Sequence, residues 1–408
     1  MNAEKEDLTM ESQEQTLPVQ NTGESLQGNT PPAAKLLGKR THQMPGKLSV
    51  SELFFEVPKN YSKPQEGNLC LFARSAERFE KPVDTSKKTI KQPPWLLFLQ
   101  GGPGMPCTGL SSTVTARTLA TEGGPAKQAA LLKNFRADSI VMDCEAVRNT
   151  LTATYPAEEK KWSIMGVSFG GFCCGTYLSK LSVFISAGLP PLVKEPDIIY
   201  KYQFRRLAER NKVYYEKYKE DVHRVKDIIR YIQKEHVILP SGGNFSVLRL
   251  RQLGVYFGFH GHSGRISKFW IQLTSEQAPW TLYMLPNFQR VSVDGPEPVL
   301  FTGEMIFRDM FKDYDELREL QETADLLAHA EDWPELYDEQ QLAKNEVPIY
   351  SAVYIEDMLV HFDLSRDAAS KINNCKTFMT NNLYHEALFS KSNEVMKQLF
   401  ALRDDVID

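Results

Sequence analysis

Ser168 stands in Gly166-Val167-Ser168-Phe169-Gly170-Gly171, between an apolar run and a segment with helical spacing. A serine hydroxyl attacks an acyl carbon only when a base takes its proton, and Gly-x-Ser-x-Gly suits a turn too sharp for bulky neighbours that holds such a hydroxyl clear of the backbone. An ordinary Gly-rich turn is the alternative for the same residues. Partners of the right type follow in the chain. Asp357 closes the apolar run VPIYSAVYIED, and His385 lies just beyond KTFMTNN. In these roles His385 takes the Ser168 proton, Asp357 fixes the imidazole tautomer and steadies its cationic form, and Ser168 attacks. His361, four residues after Asp357, is a rival base that reads better as a loop residue.

The other chemistry-bearing residues point elsewhere. Six cysteines, at 70, 107, 144, 173, 174 and 375, have no CxxC spacing and read as reduced core thiols. Cys173 and Cys174 adjoin on an expected helix, so one should face the sheet and the other not; they read as core thiols, with a nucleophilic cysteine as the less favoured alternative. His260 and His262 form an HxH pair without a third ligand at useful spacing, so they read as loop residues, and neither a metal nor another cofactor is expected.

Elements must bring Ser168, Asp357 and His385 to one place. Residues 47–57 and 68–75 alternate like two antiparallel strands around a turn at Pro64–Gly67. Trp95–Leu99 is a short apolar run bounded by Pro and Gly, as expected of a strand buried on both faces. Apolar residues from Phe135 to Leu151 recur at helical spacing, WSIMGVS reads as a strand, Phe169–Ser179 as a helix and VFISAGLPP as a strand. This alternation predicts an α/β fold with a mostly parallel sheet flanked by helices. Glu195–His236 is charged, aromatic and helical, and helix-like sequence continues through Ser246–Phe259, which reads as an inserted cap. Strands return in VPIYSAVYIEDM and KTFMTNN, and a last helix runs from Ser392 to Leu402. The expected organisation is a disordered tail over 1–45, a first core part over 46–193, a mainly helical cap over 194–345, and a second core part over 346–408.

Composition excludes several classes. The 408 residues are 42% hydrophobic and 25% charged with a net charge of −4, which lacks both the polar bias of a disordered chain and the basic excess of a nucleic-acid binder. No apolar run approaches the roughly 20 residues that span a bilayer, and the first residues lack a signal-peptide core. A cytoplasmic protein without nucleic-acid or membrane partners is expected.

The blocks LLFLQGGPG, WSIMGVSFGGFCCGTYLS, FTGEMIF, YIEDMLVHFDL and YHEAL, in this order, resemble the larger proline iminopeptidases. The likeness runs from about Lys47 to the C-terminus. It implies an α/β-hydrolase fold, removal of N-terminal proline from peptides, and the triad Ser168, Asp357 and His385. It places the Gly101-Gly102-Pro103-Gly104 loop against the elbow. An oxyanion hole needs backbone N–H groups close to the developing charge, so its candidate donors are Phe169 and Gly101 or Gly102. An aminopeptidase must also hold a free amine, for which a carboxylate is suited; Glu304 in FTGEMIF matches the family's amine-binding position, with a surface helix-capping role as the alternative.

The chain departs from the family pattern after Gly104. Thr108 and Gly109 look like the tail of an Asp-Gln-Arg-Gly-Thr-Gly motif whose head, and the strand before it, are absent. Shortfalls also fall after TYLSK and in the cap near HGHSGRISKFWIQLTSEQAPW. The core βαβ crossover survives this loss, but the oxyanion loop lacks its buttress and the N-terminal hairpin must pair with the Trp95–Leu99 strand or leave an exposed edge. The chemistry is therefore that of a serine aminopeptidase, with an esterase or amidase, or a weakly active or inactive binding protein of the same fold, as alternatives.

Overall fold

The computed structural model describes residues 31–78, 94–102, 119, 122–177, 182–240, 242–260, 286–289 and 291–405. Two sheets carry the named strands. The first is antiparallel, with β1 (Lys35–Met44), β2 (Leu48–Pro58) and β3 (Asn68–Arg78) in that order. Alternation along β2 turns Leu53, Phe55 and Val57 inward, where they pack with Ala146 and Val147.

Residues 35–44, which the sequence assigns to a disordered tail, form a strand. Lys35–Met44 pairs along its length with β2 through a short turn in which Gly46 and Lys47 have φ of 86° and 60°. The side chains of β1 are almost all exposed, so the strand is held by backbone pairing and leaves no apolar alternation to read.

The second sheet is parallel, in the order β4 (Leu96–Leu99), β5 (Ser163–Val167), β6 (Val183–Ser186), β7 (Ile349–Tyr354) and β8 (Cys375–Thr380). Helix α1 (Pro125–Leu132) precedes α2 (Ala137–Leu151), which leads into β5, and α3 (Phe169–Thr176) follows β5 directly. On one face of the sheet Ile164, Val183, Ile185, Ile349 and Val353 pack with Val141 of α2 and Cys174 of α3. On the other, Met165, Val167, Phe184 and Ala352 pack with Val395, Leu399 and Leu402 of the C-terminal helix. Burial on both faces is why these strands read as continuous apolar runs.

β4 departs from the expectation of a strand buried on both faces. It is the edge of the sheet, paired with β5 alone among the described strands, and Leu96 is 54% exposed. Among the described residues, the N-terminal sheet does not pair with it.

Between β6 and β7 the chain forms α4 (Pro196–Lys217), α5 (Asp221–Lys234), α6 (Val247–Arg251) and α7 (Gln321–Ala328) with shorter turns. This excursion has apolar clusters of its own, one centred on Phe204, Leu207, Phe307 and Tyr314, the other on Tyr215, Ile229, Leu250 and Phe301. Met358, beside Asp357, packs into the first of them. After β7 come α8 (Phe362–Lys371), β8 and α9 (Ser392–Asp404). No helix among the described residues is long and apolar enough to cross a membrane.

Candidate active site

Ser168 sits between the last residue of β5 and the first of α3 with φ 53° and ψ −124°. A side chain rarely adopts this backbone, which costs on the order of 1–3 kcal/mol and persists only where neighbours over-determine it. They do so here. The Ser168 amide donates to the Ser186 carbonyl at 3.1 Å, extending the β5–β6 pairing, and its carbonyl accepts from Gly171 N at 2.8 Å. At Gly170 a Cβ would overlap the carbonyl oxygen of Leu99, so α3 can approach the end of β4 only with glycine there.

The glycine loop reaches the same place. A Cβ on Gly101 would stand 2.9 Å from Ser168 Cβ and 3.5 Å from its Oγ, so the Gly101 backbone lies against the serine side chain. Gly102 follows with φ 141°, a conformation that favours glycine. Phe169 opens α3, so its amide is among the first N–H groups that have no partner within the helix. Pro103, Gly104, Thr108 and Gly109 lie outside the described residues.

Parallel pairing of β5, β7 and β8 puts the residues after these strands at one edge of the sheet. Asp357, 1% exposed, lies beyond β7, and its Oδ1 accepts from Leu359 N at 2.8 Å and Val360 N at 3.0 Å. His385, 6% exposed, lies beyond β8 with Nδ1 at 2.8 Å from Asp357 Oδ2 and 3.1 Å from Oδ1. With Nδ1–H donating to the carboxylate, Nε2 is left to accept a proton. Burial disfavours the imidazolium, but the Asp357 charge and hydrogen bond, reinforced by Glu304 and Glu386, hold the His385 pKa above its ordinary value.

His361 is placed differently. It caps α8, its Nδ1 accepting from Asp363 N at 3.1 Å, and its ring lies 5.1 Å from that of Tyr202. Burial and the Arg206 charge lower its pKa.

Glu304 is carried by the excursion on a segment that several buried groups staple down. Asn211 accepts from Phe301 N at 2.8 Å and donates to Phe301 O at 3.0 Å, and Arg251 Nε donates to Leu300 O at 2.7 Å. Burial, partly offset by His385 and reinforced by Asp357, raises the Glu304 pKa to about 7. A carboxylate in electrostatic reach of both His385 and Asp357, and costly to ionise alone, is suited to receiving a cation. Tyr200 of α4 is a neighbour, its own pKa raised to about 12 by burial and in part by Glu304.

His260 lies in a turn, where its ring meets Glu386. His262 lies outside the described residues. No group of three or more His, Cys, Asp or Glu suited to a metal occurs among the described residues. Cys173 and Cys174 are both buried, because α3 is covered on the side away from the sheet as well, and burial pushes the Cys173 thiol up to about 12. Cys70 is exposed on β3 and so is no core thiol, and Cys107 lies outside the described residues. Sequence reasoning missed Glu356 and Glu386. Each adjoins a triad candidate, Asp357 or His385, but nothing along the chain indicates what lies opposite.

A parallel sheet presenting a serine on a strained strand-to-helix turn, with an Asp–His pair from later strands at the same edge, is the arrangement of a serine hydrolase of the α/β-hydrolase fold. No family model matches the chain. A proline iminopeptidase of Aspergillus aculeatus is 40% identical over 446 aligned positions, covering 92% of this chain and 98% of that protein. A proline iminopeptidase of Aeromonas sobria is 31% identical over 423 positions, covering 86% of this chain and 96% of the relative. Both alignments are longer than the 408-residue chain, so part of each relative faces no residue here. Solved structures similar to this chain include a 2-hydroxy-6-oxo-6-phenylhexa-2,4-dienoate hydrolase of Rhodococcus (TM-score 0.37, 10% identity, 91% of this chain and 100% of that one). A Bacillus anthracis bromoperoxidase is another (TM-score 0.35, 10% identity, 90% and 100%). The chain belongs to the proline iminopeptidase family.

Proposed function

We propose that this chain is a serine aminopeptidase that releases N-terminal proline from peptides, using Ser168, His385 and Asp357 as its triad and Glu304 to hold the substrate amine. His385 takes the Ser168 proton as the hydroxyl attacks the proline carbonyl. The tetrahedral oxyanion is met by the amide of Phe169 and one from Gly101 or Gly102. His385 then protonates the leaving amine, and water, activated by the same histidine, hydrolyses the prolyl ester on Ser168.

The observation that carries the peptidase reading, over an esterase of neutral acyl groups, is Glu304. Its segment is fixed by Asn211 and Arg251, and its carboxylate, whose pKa burial raises to about 7, interacts electrostatically with His385 and Asp357, which supports this role. A neutral acyl group gives that carboxylate no partner, whereas a protonated N-terminal amine supplies one. The test compares proline p-nitroanilide, alanine p-nitroanilide and p-nitrophenyl acetate. Faster turnover of the proline substrate supports the reading, and a preference for acetate overturns it in favour of the esterase.

A further inference from the structure

Each triad candidate outside the elbow has an acidic neighbour in the chain, and both carboxylates are held by side chains of the helical excursion. Glu356 Oε2, beside Asp357, lies 3.5 Å from Arg206 Nη1 and 3.8 Å from Arg210 Nη1, both on α4. Glu386 Oε1, beside His385, accepts from His260 N at 2.8 Å and lies 2.6 Å from His260 Nδ1. The His260 ring also packs edge-on against Tyr384, the residue before His385, with centroids 4.7 Å apart at 79°.

Arg210 joins the two contacts. It donates through Nη2 to the Phe257 carbonyl at 2.9 Å, just upstream of His260, and its guanidinium stands 5.3 Å from the Tyr384 ring. The His260–Glu386 pair is largely enclosed, at 20% and 14% side-chain exposure, so solvent screens it less than a surface ion pair. Glu386 Oε2 is buried without a hydrogen-bond partner, so this carboxylate depends on the contacts of its other oxygen.

Resting on the triad reading above, we propose that His260 is a positioning residue: by gripping Glu386 and Tyr384 on either side of His385, it lets the excursion aim the imidazole. His260 touches no reacting atom; it acts through the backbone of the segment that carries the base. Misaiming a base by about 1 Å can cost on the order of 10²-fold in rate.

The test uses the full chain with His260→Phe, which keeps a ring against Tyr384, Glu386→Gln, whose amide oxygen can still accept both His260 N–H groups, Glu386→Ala, and the double variant His260→Phe/Glu386→Ala. Readouts are the fluorophosphonate labelling rate at Ser168, kcat and KM for proline p-nitroanilide, and melting temperature. His260→Phe and Glu386→Ala should each lower kcat and the labelling rate about tenfold with KM changed less than about twofold, Glu386→Gln should retain most of the rate, and the double variant should be little worse than either single. Parent-like rates in folded His260→Phe, losses in Glu386→Gln equal to those in Glu386→Ala, or additive losses in the double variant overturn the proposal. If the parent labels at Ser168 and the variants label at its rate, the positioning role alone falls. A folded parent that does not label overturns the triad reading and this role with it.

Discussion

The elbow and the edge strand beside it lie one strand apart and are built differently. β5 has partners on both sides, its residues after Ser163 are buried, and the turn after it is clamped by hydrogen bonds and by close backbone approaches at Gly101 and Gly170. β4 has β5 on one side, and Leu96 projects into solvent. The shortfall that the sequence suggests after Gly104 would fall beside the second region. Where contacts close around a segment from every side, a strained serine is held in place; at a sheet edge, a neighbour can be lost while the strand and its one pairing persist.

Substitutions that strike the clamped region should be far more damaging than those at the edge. Ser168→Ala should cost on the order of 10⁶ in kcat with the melting temperature unchanged or raised, since the side chain is small and the fold does not need the hydroxyl. Activity above a tenth of the parent's contradicts the triad. His385→Ala should behave similarly, whereas His361→Ala should lose only the cap of α8. An exchange of these two behaviours would reassign the base.

Gly170→Ala tests the clamp itself. The added methyl overlaps the Leu99 carbonyl, so α3 must shift from the sheet, and an overpacking cost of about 1–3 kcal/mol should appear in denaturant unfolding together with a loss of activity. Parent-like stability would show the approach to be looser than the packing indicates.

Glu304→Gln should weaken turnover of proline p-nitroanilide by about 10–100-fold and that of an acetyl ester much less, because only the former loses a charge-assisted contact. The pH profiles carry a second sign. His385 must be neutral to act as base and Glu304 ionised to hold a cation, so kcat/KM for the proline substrate should rise with pH through about 7. Glu304 raises the His385 pKa, so its replacement should move the acidic limb of ester hydrolysis to lower pH. An equal loss on both substrates with an unmoved limb would make Glu304 structural.

The smallest effect is expected at the edge. Leu96→Thr removes an exposed apolar side chain from a strand with one partner, so stability should change by no more than about 0.5 kcal/mol, measured by the same unfolding. A loss comparable with that of Gly170→Ala would mean that β4 is covered in solution.

Much of the core could be read along the chain because its signals are local. β5, β6 and β7 are apolar runs bounded by turns, and Gly166 answers a constraint within a few residues of Ser168, the Gly170 carbonyl, whereas Gly170 itself is demanded by the distant Leu99 carbonyl. β1 was hidden because a strand held by backbone pairing, with its side chains in solvent, carries no pattern. The edge status of β4 was hidden because an apolar run does not say how many neighbours it has.

By itself, the sequence determined the order Ser168, Asp357, His385, the alternation of strands and helices that brings such residues to one sheet edge, and the family resemblance that singled out Glu304. Tertiary structure alone decided how His385 Nδ1 meets the Asp357 carboxylate, that Glu304 comes within electrostatic reach of both, and that Arg206, Arg210 and His260 hold the acidic neighbours of the pair. The reason is range. Backbone preference and apolar periodicity act over a few residues, whereas a contact such as His260 with Glu386 joins positions 126 residues apart and exists only once the elements between them have packed.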